Sequence, residues 1–247
     1  MPHPPVRLST CAALLMITCA CGTADRKATA DRSASAAIRP TAPADTDRMK
    51  QALLPIPPAQ SKQAFRYGPM TGPYEQLMKR IVEGKTWPSE PCAQRTMLPG
   101  RIQQLGEKAR FSPAALAMWV DETRNLTITE TIIKLPKASA QLLVAMPTPK
   151  ECHAYDFTSS GNTYRAILKS DELHQRDGIS ERTRIWEYRA GKATNSAVHL
   201  TSRRGDYAIL LSLSPTGRLR TSAYQDLIKQ AEDHATTTLK QAVDSRT

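Results

Sequence analysis

The stretch PAALAMWVDETRNLTITETIIKLPKASAQLLVAMPTPKEC, residues 113–152, decides the fold of this 247-residue chain. Residues 115–120 are apolar and short enough for a buried strand. After a polar turn, residues 126–133 alternate with period two and are rich in β-branched side chains, the signature of a second strand. Leu126, Ile128 and Ile132 share one face of it, and the threonines share the other. Pro136 sits where a helix can begin, residues 138–146 continue it, and Pro147 and Pro149 stop it. The reading is strand, strand, helix, cysteine.

Glu130 is the odd residue in that pattern, because it has the parity of Leu126, Ile128 and Ile132. A carboxylate on the buried side needs a partner. It either sits at the sheet rim paired with an arginine or lies as a polar group inside a ligand cleft.

Outward from this centre, residues 154–158 and 163–168 read as a hairpin pair about a Ser-Gly-Asn turn. Residues 171–180 are polar and loop-like, with Asp177-Gly178 as a turn signal. Three further strands follow at 183–189, 196–202 and 207–213, joined by hairpin-like turns. At the end, Ser222 and Gln225 have capping-box spacing. Tyr224, Leu227, Ile228, Ala231, Ala235, Leu239 and Ala242 then recur at helical steps, so a long amphipathic helix packs on the sheet. Upstream, residues 49–54, 75–83 and 101–108 read as short helices. The turn-rich, aromatic segment 65–74 reads as an irregular cover over a sheet edge, and stacking on a ligand is its other reading. The expected fold is α+β: a curved antiparallel sheet of about six or seven strands packed by a few helices, including the long C-terminal one.

The N-terminus reads differently. Residues 11–20 form a ten-residue apolar run. A bilayer span needs about 20 residues, so this run fits the core of an export signal. Cys21, between Ala20 and Gly22, resembles a lipobox cysteine, with Thr18 in place of the usual leucine; Cys19 is the second choice, and plain secretion is the alternative. Residues 22–48 are poor in large apolar side chains and read as a disordered tether. Three segments follow: a lipoprotein-type signal over 1–21, the tether over 22–48, and one extracytoplasmic domain over 49–247. The localisation expected is the outer face of a bacterial cell membrane, held by the N-terminal lipid.

The cysteines agree with that compartment. Cys92 and Cys152 are the two left in the exported domain, and two such cysteines in an oxidising compartment usually pair. Redox or metal chemistry is the alternative, but no C-x-x-C occurs and no histidine stands at zinc spacing. No metal or cofactor is expected.

The net charge is +11 at pH 7, of which the first 48 residues hold six basic and four acidic side chains. A solvated basic surface accounts for the excess, and an anionic partner is the functional alternative. The basic residues are scattered rather than striped with aromatics, which argues against nucleic acid. No nucleophile elbow, phosphate loop or metal-binding histidine pair is present. Asp171, Glu172 and Glu181 are loop or strand-edge acids.

Several features together resemble a family. They are a short helix followed by Leu53-Leu54-Pro55, two cysteines about sixty residues apart and two strands with a helix leading to Pro149-Lys150-Glu151-Cys152. The Arg-Gly-Asp-Tyr stretch ending at Tyr207 and the C-terminal helix complete the set. The chain thereby resembles the extracellular sensor-type domains of actinobacterial membrane kinases of the PknH type, and the free lipoproteins that share them. That resemblance implies an α/β sandwich with a cleft over a curved antiparallel sheet. The family pattern carries two disulfides, and this chain has cysteines for one and no kinase domain, so signalling would pass through a partner protein.

The function expected is a non-enzymatic, sensor-like domain that binds a small ligand or an envelope protein as a monomer. Trp119, Glu130, Trp186 and Tyr207 are the candidate cleft residues. A carrier of lipid or cell-wall intermediates is the first alternative, and an envelope hydrolase the second.

Overall fold

The computed structural model describes residues 43–55, 65–81, 88–121, 125–159, 161–176, 179–215 and 221–244. The signal, both lipidation candidates and most of the tether lie outside the described residues. The tether boundary moves: α1 spans Pro43–Ala52, so residues 43–48 are helical.

The elements that follow are β1 (Phe65–Pro73), α2 (Tyr74–Ile81), α3 (Pro91–Thr96), α4 (Leu98–Gln104), α5 (Glu107–Arg110) and β2 (Pro113–Asp121). Next come β3 (Leu126–Lys134), α6 (Lys137–Ala145), a 3-10 turn at Lys150–Cys152, β4 (Ala154–Ser159) and β5 (Asn162–Arg176). The chain closes with β6 (Ile179–Ala190), β7 (Ala193–Arg204), β8 (Tyr207–Pro215) and α7 (Thr221–Asp244). One sheet of eight strands results, in the order β1-β2-β3-β8-β7-β6-β5-β4. Every neighbouring pair is antiparallel.

The count exceeds the expected six or seven because of β1. Its Gly68-Pro69 and Gly72-Pro73 pairs suggested irregular cover, but an edge strand tolerates proline and glycine. β1 pairs with β2 through two register shifts, after Phe65 and after Tyr67. A second correction concerns residues 171–180, expected as a loop. They extend β5 and β6 instead, with Glu172 opposite Thr183 and His174 opposite Glu181. The segment is polar because this end of the hairpin is largely solvent-exposed, not because it is irregular. The Asp177-Gly178 turn lies outside the described residues.

Period-two alternation separates the two sheet faces. On one face Ala117, Trp119, Ile128, Ile132, Ile209 and Leu211 are buried beneath α1 and α7. Leu227, Ala231, Ala235 and Leu239 form the α7 stripe that meets them, at the expected helical spacing. On the other face Leu116, Ile133, Ala208 and Leu210 pack with Leu77 and Ile81 of α2, Ile102 of α4 and Leu143 of α6. A third cluster, Tyr155, Phe157 and Trp186 with Ala93 and Cys152, closes the β4 end of the sheet. Tyr155 meets Trp186 edge-on, with ring centroids 5.9 Å apart.

Cys92 and Cys152 are bonded, joining α3 to the turn that precedes β4 across 60 residues. Closing a loop of that size removes denatured-state entropy worth about 4 kcal/mol. The Cys92→Ala/Cys152→Ala double variant is expected to lose about that much stability in urea unfolding, with a larger m-value because the unlinked denatured chain is less compact. An unchanged midpoint would show that α3 is held by packing alone.

Candidate functional site

The four residues singled out from the sequence do not share one site. Trp119, Glu130 and Tyr207 lie together on the face beneath α1 and α7. Trp186, on β6, lies on the opposite face.

Glu130 is fully buried in β3, between Ala117 of β2 and Leu211 of β8. Its Oε2 accepts a hydrogen bond from the Leu54 backbone N–H at 2.5 Å, and its Oε1 has no partner. It is neither at the sheet rim nor paired with an arginine. It pins the chain where it leaves α1. Burial pushes its pKa up to about 8, and the Leu54 bond offsets only part of that. Nearby, Lys134 pairs with Asp45 at 2.7 Å and stands 6.0 Å over the Tyr207 ring, which fixes the start of α1.

The other face holds a cavity of about 360 Å³, within the range of small-molecule sites. Its floor is made by alternate residues of five adjacent strands: Met118 of β2, Thr129 and Thr131 of β3, Ser212 of β8, His199 and Thr201 of β7, and Arg184, Trp186 and Tyr188 of β6. Met78 and Ile81 of α2, with Met97, Leu98, Pro99 and Arg101 at the α3–α4 junction, complete the lining. Gly100 makes the junction possible. A Cβ there would fall 1.6 Å from the Gln94 carbonyl oxygen, so only glycine lets α4 fold this closely back on α3.

The β6 end of the cavity carries a cluster that the sequence reading did not find. Helix α6 ends at Ala145 and is followed by Pro147, which leaves its last carbonyls without helical partners. Three arginines supply them. Arg101 Nη2 donates to Leu143 and Met146, at 3.0 and 2.8 Å. Arg182 donates from Nε to Val144 and from Nη2 to Ala145, at 2.8 and 3.0 Å. Arg184 Nη2 donates to Met146 at 2.6 Å. Asp171 is the carboxylate among them: its Oδ1 lies 2.8 Å from Arg182 Nη1 and 3.4 Å from Arg184 Nε, and its Oδ2 accepts the Thr148 N–H at 2.8 Å. Burial raises the Asp171 pKa, and these donors outweigh it and hold the group below its ordinary value.

The cationic side of the cluster is strained electrostatically. Burial lowers the Arg184 pKa to about 9, helped by the neighbouring charges of Arg101 and Arg182. Burial likewise lowers Arg101 to about 10. His199, directly opposite Arg184 in the β6–β7 register, is pushed down to about 4 by burial and by those two arginines, so it is neutral at pH 7. Its Nε2 and the Nε of Arg101 are enclosed and have no hydrogen-bond partner. The sequence carried one usable signal: Arg182, Arg184, Trp186 and Tyr188 alternate along one strand and must share a face. Asp171, whose sequence context reads as a loop or strand-edge acid, lies in β5 and is the ion-pair partner of Arg182 and Arg184. Among the described residues no group of three His, Cys, Asp or Glu side chains is placed to hold a metal.

No protein-family model matches the chain, and no curated protein matches it. Among solved structures, the extracellular domain of PknH from Mycobacterium tuberculosis is similar, with a TM-score of 0.51 at 12% identity over 79% of this chain and 96% of that one. An uncharacterised protein from Mycobacterium smegmatis gives a TM-score of 0.36 at 11% identity, over 68% and 86%. The cyanobacterial PsbP of Synechocystis sp. PCC 6803 gives 0.30 at 13%, over 48% and 70%. The first likeness is one of fold, to an extracellular domain; the other two are too distant to argue from.

Two stability predictions follow from the buried acids. Glu130 has its folded pKa raised from 4.5 to about 8. Its contribution is therefore full below about pH 4.5 and is lost as pH rises toward 8, by at most about 1.4 kcal/mol per pH unit. Glu130→Gln keeps the acceptor for Leu54 and is expected to flatten that slope in urea titrations between pH 5 and 8; identical slopes would refute the buried-carboxyl account. Asp171→Asn leaves the arginines without their counter-charge and is expected to cost about 3–5 kcal/mol. A loss within 0.5 kcal/mol, about what a surface substitution gives, would show that the α6 carbonyls alone suffice.

Proposed function

We propose that this chain is a lipid-anchored domain on the outer face of a bacterial cell membrane, binding a small ligand without transforming it. The cavity between α2, the α3–α4 junction and five strands is the observation that carries the reading. It is preformed, apolar over most of its wall and provided with a few ionisable groups at one end, as ligand sites are. The Cys92–Cys152 disulfide suits an oxidising compartment. The similarity of fold to the extracellular domain of PknH supports the same placement. Cys21 is the anchor in this reading, and no helix among the described residues is long and apolar enough to cross a membrane. Of Trp119, Glu130, Trp186 and Tyr207, it is Trp186 that lines the cavity.

The carrier reading draws on the same apolar wall and differs in what happens after binding. The hydrolase reading has less support. Ser212 lies opposite His199 in the β7–β8 register, the arrangement a nucleophile and base would need, but no hydrogen bond joins Ser212 to His199 Nε2.

Native mass spectrometry of the full chain purified from its own host tests the proposal. A bound mass that leaves on denaturation is expected in the wild type. Ser212→Trp, which fills the cavity from its floor, is expected to abolish it while the domain still unfolds cooperatively. A clean apo mass in the wild type would turn the reading toward a protein-binding module.

A further inference from the structure

We infer that the cavity takes an amphiphile: an apolar body carrying one anionic head group, a carboxylate or a phosphate, seated against Arg101, Arg184 and His199. The inference rests on the ligand-binding reading above and names the chemistry of its ligand.

The two ends of the cavity differ in kind. At the β2 end the wall is Met118 with Met78 and Ile81 of α2, and nothing there offers a charge. At the β6–β7 end stand Arg184, His199 and, from α4, Arg101. Four strand spacings separate β2 from β6 in the sheet order, about 19 Å at ~4.8 Å each. A ligand that fills this length meets hydrocarbon first and guanidinium last.

The charge at that end is unbalanced. Arg101, Arg182 and Arg184 are 3%, 7% and 2% exposed, and one carboxylate, Asp171, lies among them. Each of the three Arg182 nitrogens has a partner, and none of those partners lines the cavity. Arg101 differs. Its Nη2 serves α6, while its Nε is buried without a partner. His199 Nε2 is also enclosed and unpartnered, and its neutral ring can present an N–H there. An unsatisfied buried donor beside excess positive charge is costly, and an anion removes both costs at once. A cation would face two guanidiniums, and a neutral head group would leave the charge uncompensated. The apolar end excludes a bare inorganic anion as the full occupant.

Isothermal titration calorimetry on the full chain tests this with dodecanoate, dodecyl phosphate, dodecanol and inorganic phosphate, each below its aggregation concentration. At least one of the two anionic amphiphiles is expected to bind about tenfold or more tightly than dodecanol, and well above inorganic phosphate. The preference between carboxylate and phosphate identifies the head group. Arg101→Gln is expected to bring the anions close to dodecanol. That variant also loses a contact to α6, so the wild-type series decides the matter if it does not fold. Equal affinity for dodecanol and both anions would overturn the anionic head group and leave the ligand-binding reading standing. Inorganic phosphate binding as tightly as dodecyl phosphate would overturn the apolar body. Failure of every amphiphile to bind would overturn the inference, and a clean apo mass from the host would take the ligand-binding reading with it.

Discussion

The capping of α6 by three buried arginines is the interaction on which the rest of this structure depends. A helix end exposes carbonyls that need donors and carries the negative end of the helix dipole. Pro147 fixes where α6 stops, and the chain then runs on to Cys152 and β4. Arg182 and Arg184 reach the carbonyls from the sheet below, and Arg101 reaches them from α4 at the side. One set of hydrogen bonds thus ties a helix, the middle of the sheet and the α3–α4 junction together. The same bonds hold α4 over the strands, which leaves the space beneath it. Asp171 completes the set from β5 and explains why that strand must extend where its composition suggests a loop.

Much of the fold was legible because its signals are local. The alternation of Leu126, Ile128 and Ile132 against Thr127, Thr129 and Thr131 is a strand wherever it lies. The α7 stripe is a helix face whatever it packs on. The misread segments are those whose structure is decided at a distance. Residues 65–73 carry two Gly-Pro pairs and become a strand only because β2 offers them an edge. Asp171 to Arg176 is polar and becomes a strand only because β6 continues beside it. The site was less legible still. Parity placed Glu130 on the buried side correctly, but its partner is a backbone N–H 76 residues away. Nothing in the local sequence distinguishes that from an arginine or a ligand. Trp119 stands opposite Ile128 and Tyr207 opposite Lys134, two β3 residues of Glu130's parity, so both share its face, the one that α1 and α7 close. Trp186 belongs to the other face, where Tyr155, Phe157, Ala93 and Cys152, brought from β4, α3 and the turn before β4, cluster with it.

The cavity itself follows from the same alternation that built the core. On the closed face the central strands present Trp119, Ile128, Ile132, Leu200, Ile209 and Leu211, which fill the space under α1 and α7. On the open face the corresponding positions are Thr129, Thr131, Thr201 and Ser212. Threonine retains the β-branch that favours a strand while giving up the volume of an isoleucine. Sheet formation is therefore preserved and packing is not. Leucine or isoleucine at those sites would bury more apolar area and close the space, and proteins commonly tolerate such stabilising changes unless function opposes them. The threonine floor, the glycine that lets α4 fold back over it, and the uncompensated guanidiniums at its edge each sacrifice stability in a different way. All three are found around one cavity. That coincidence is the physical reason for placing the function there rather than at Glu130, whose burial beneath α1 serves the fold.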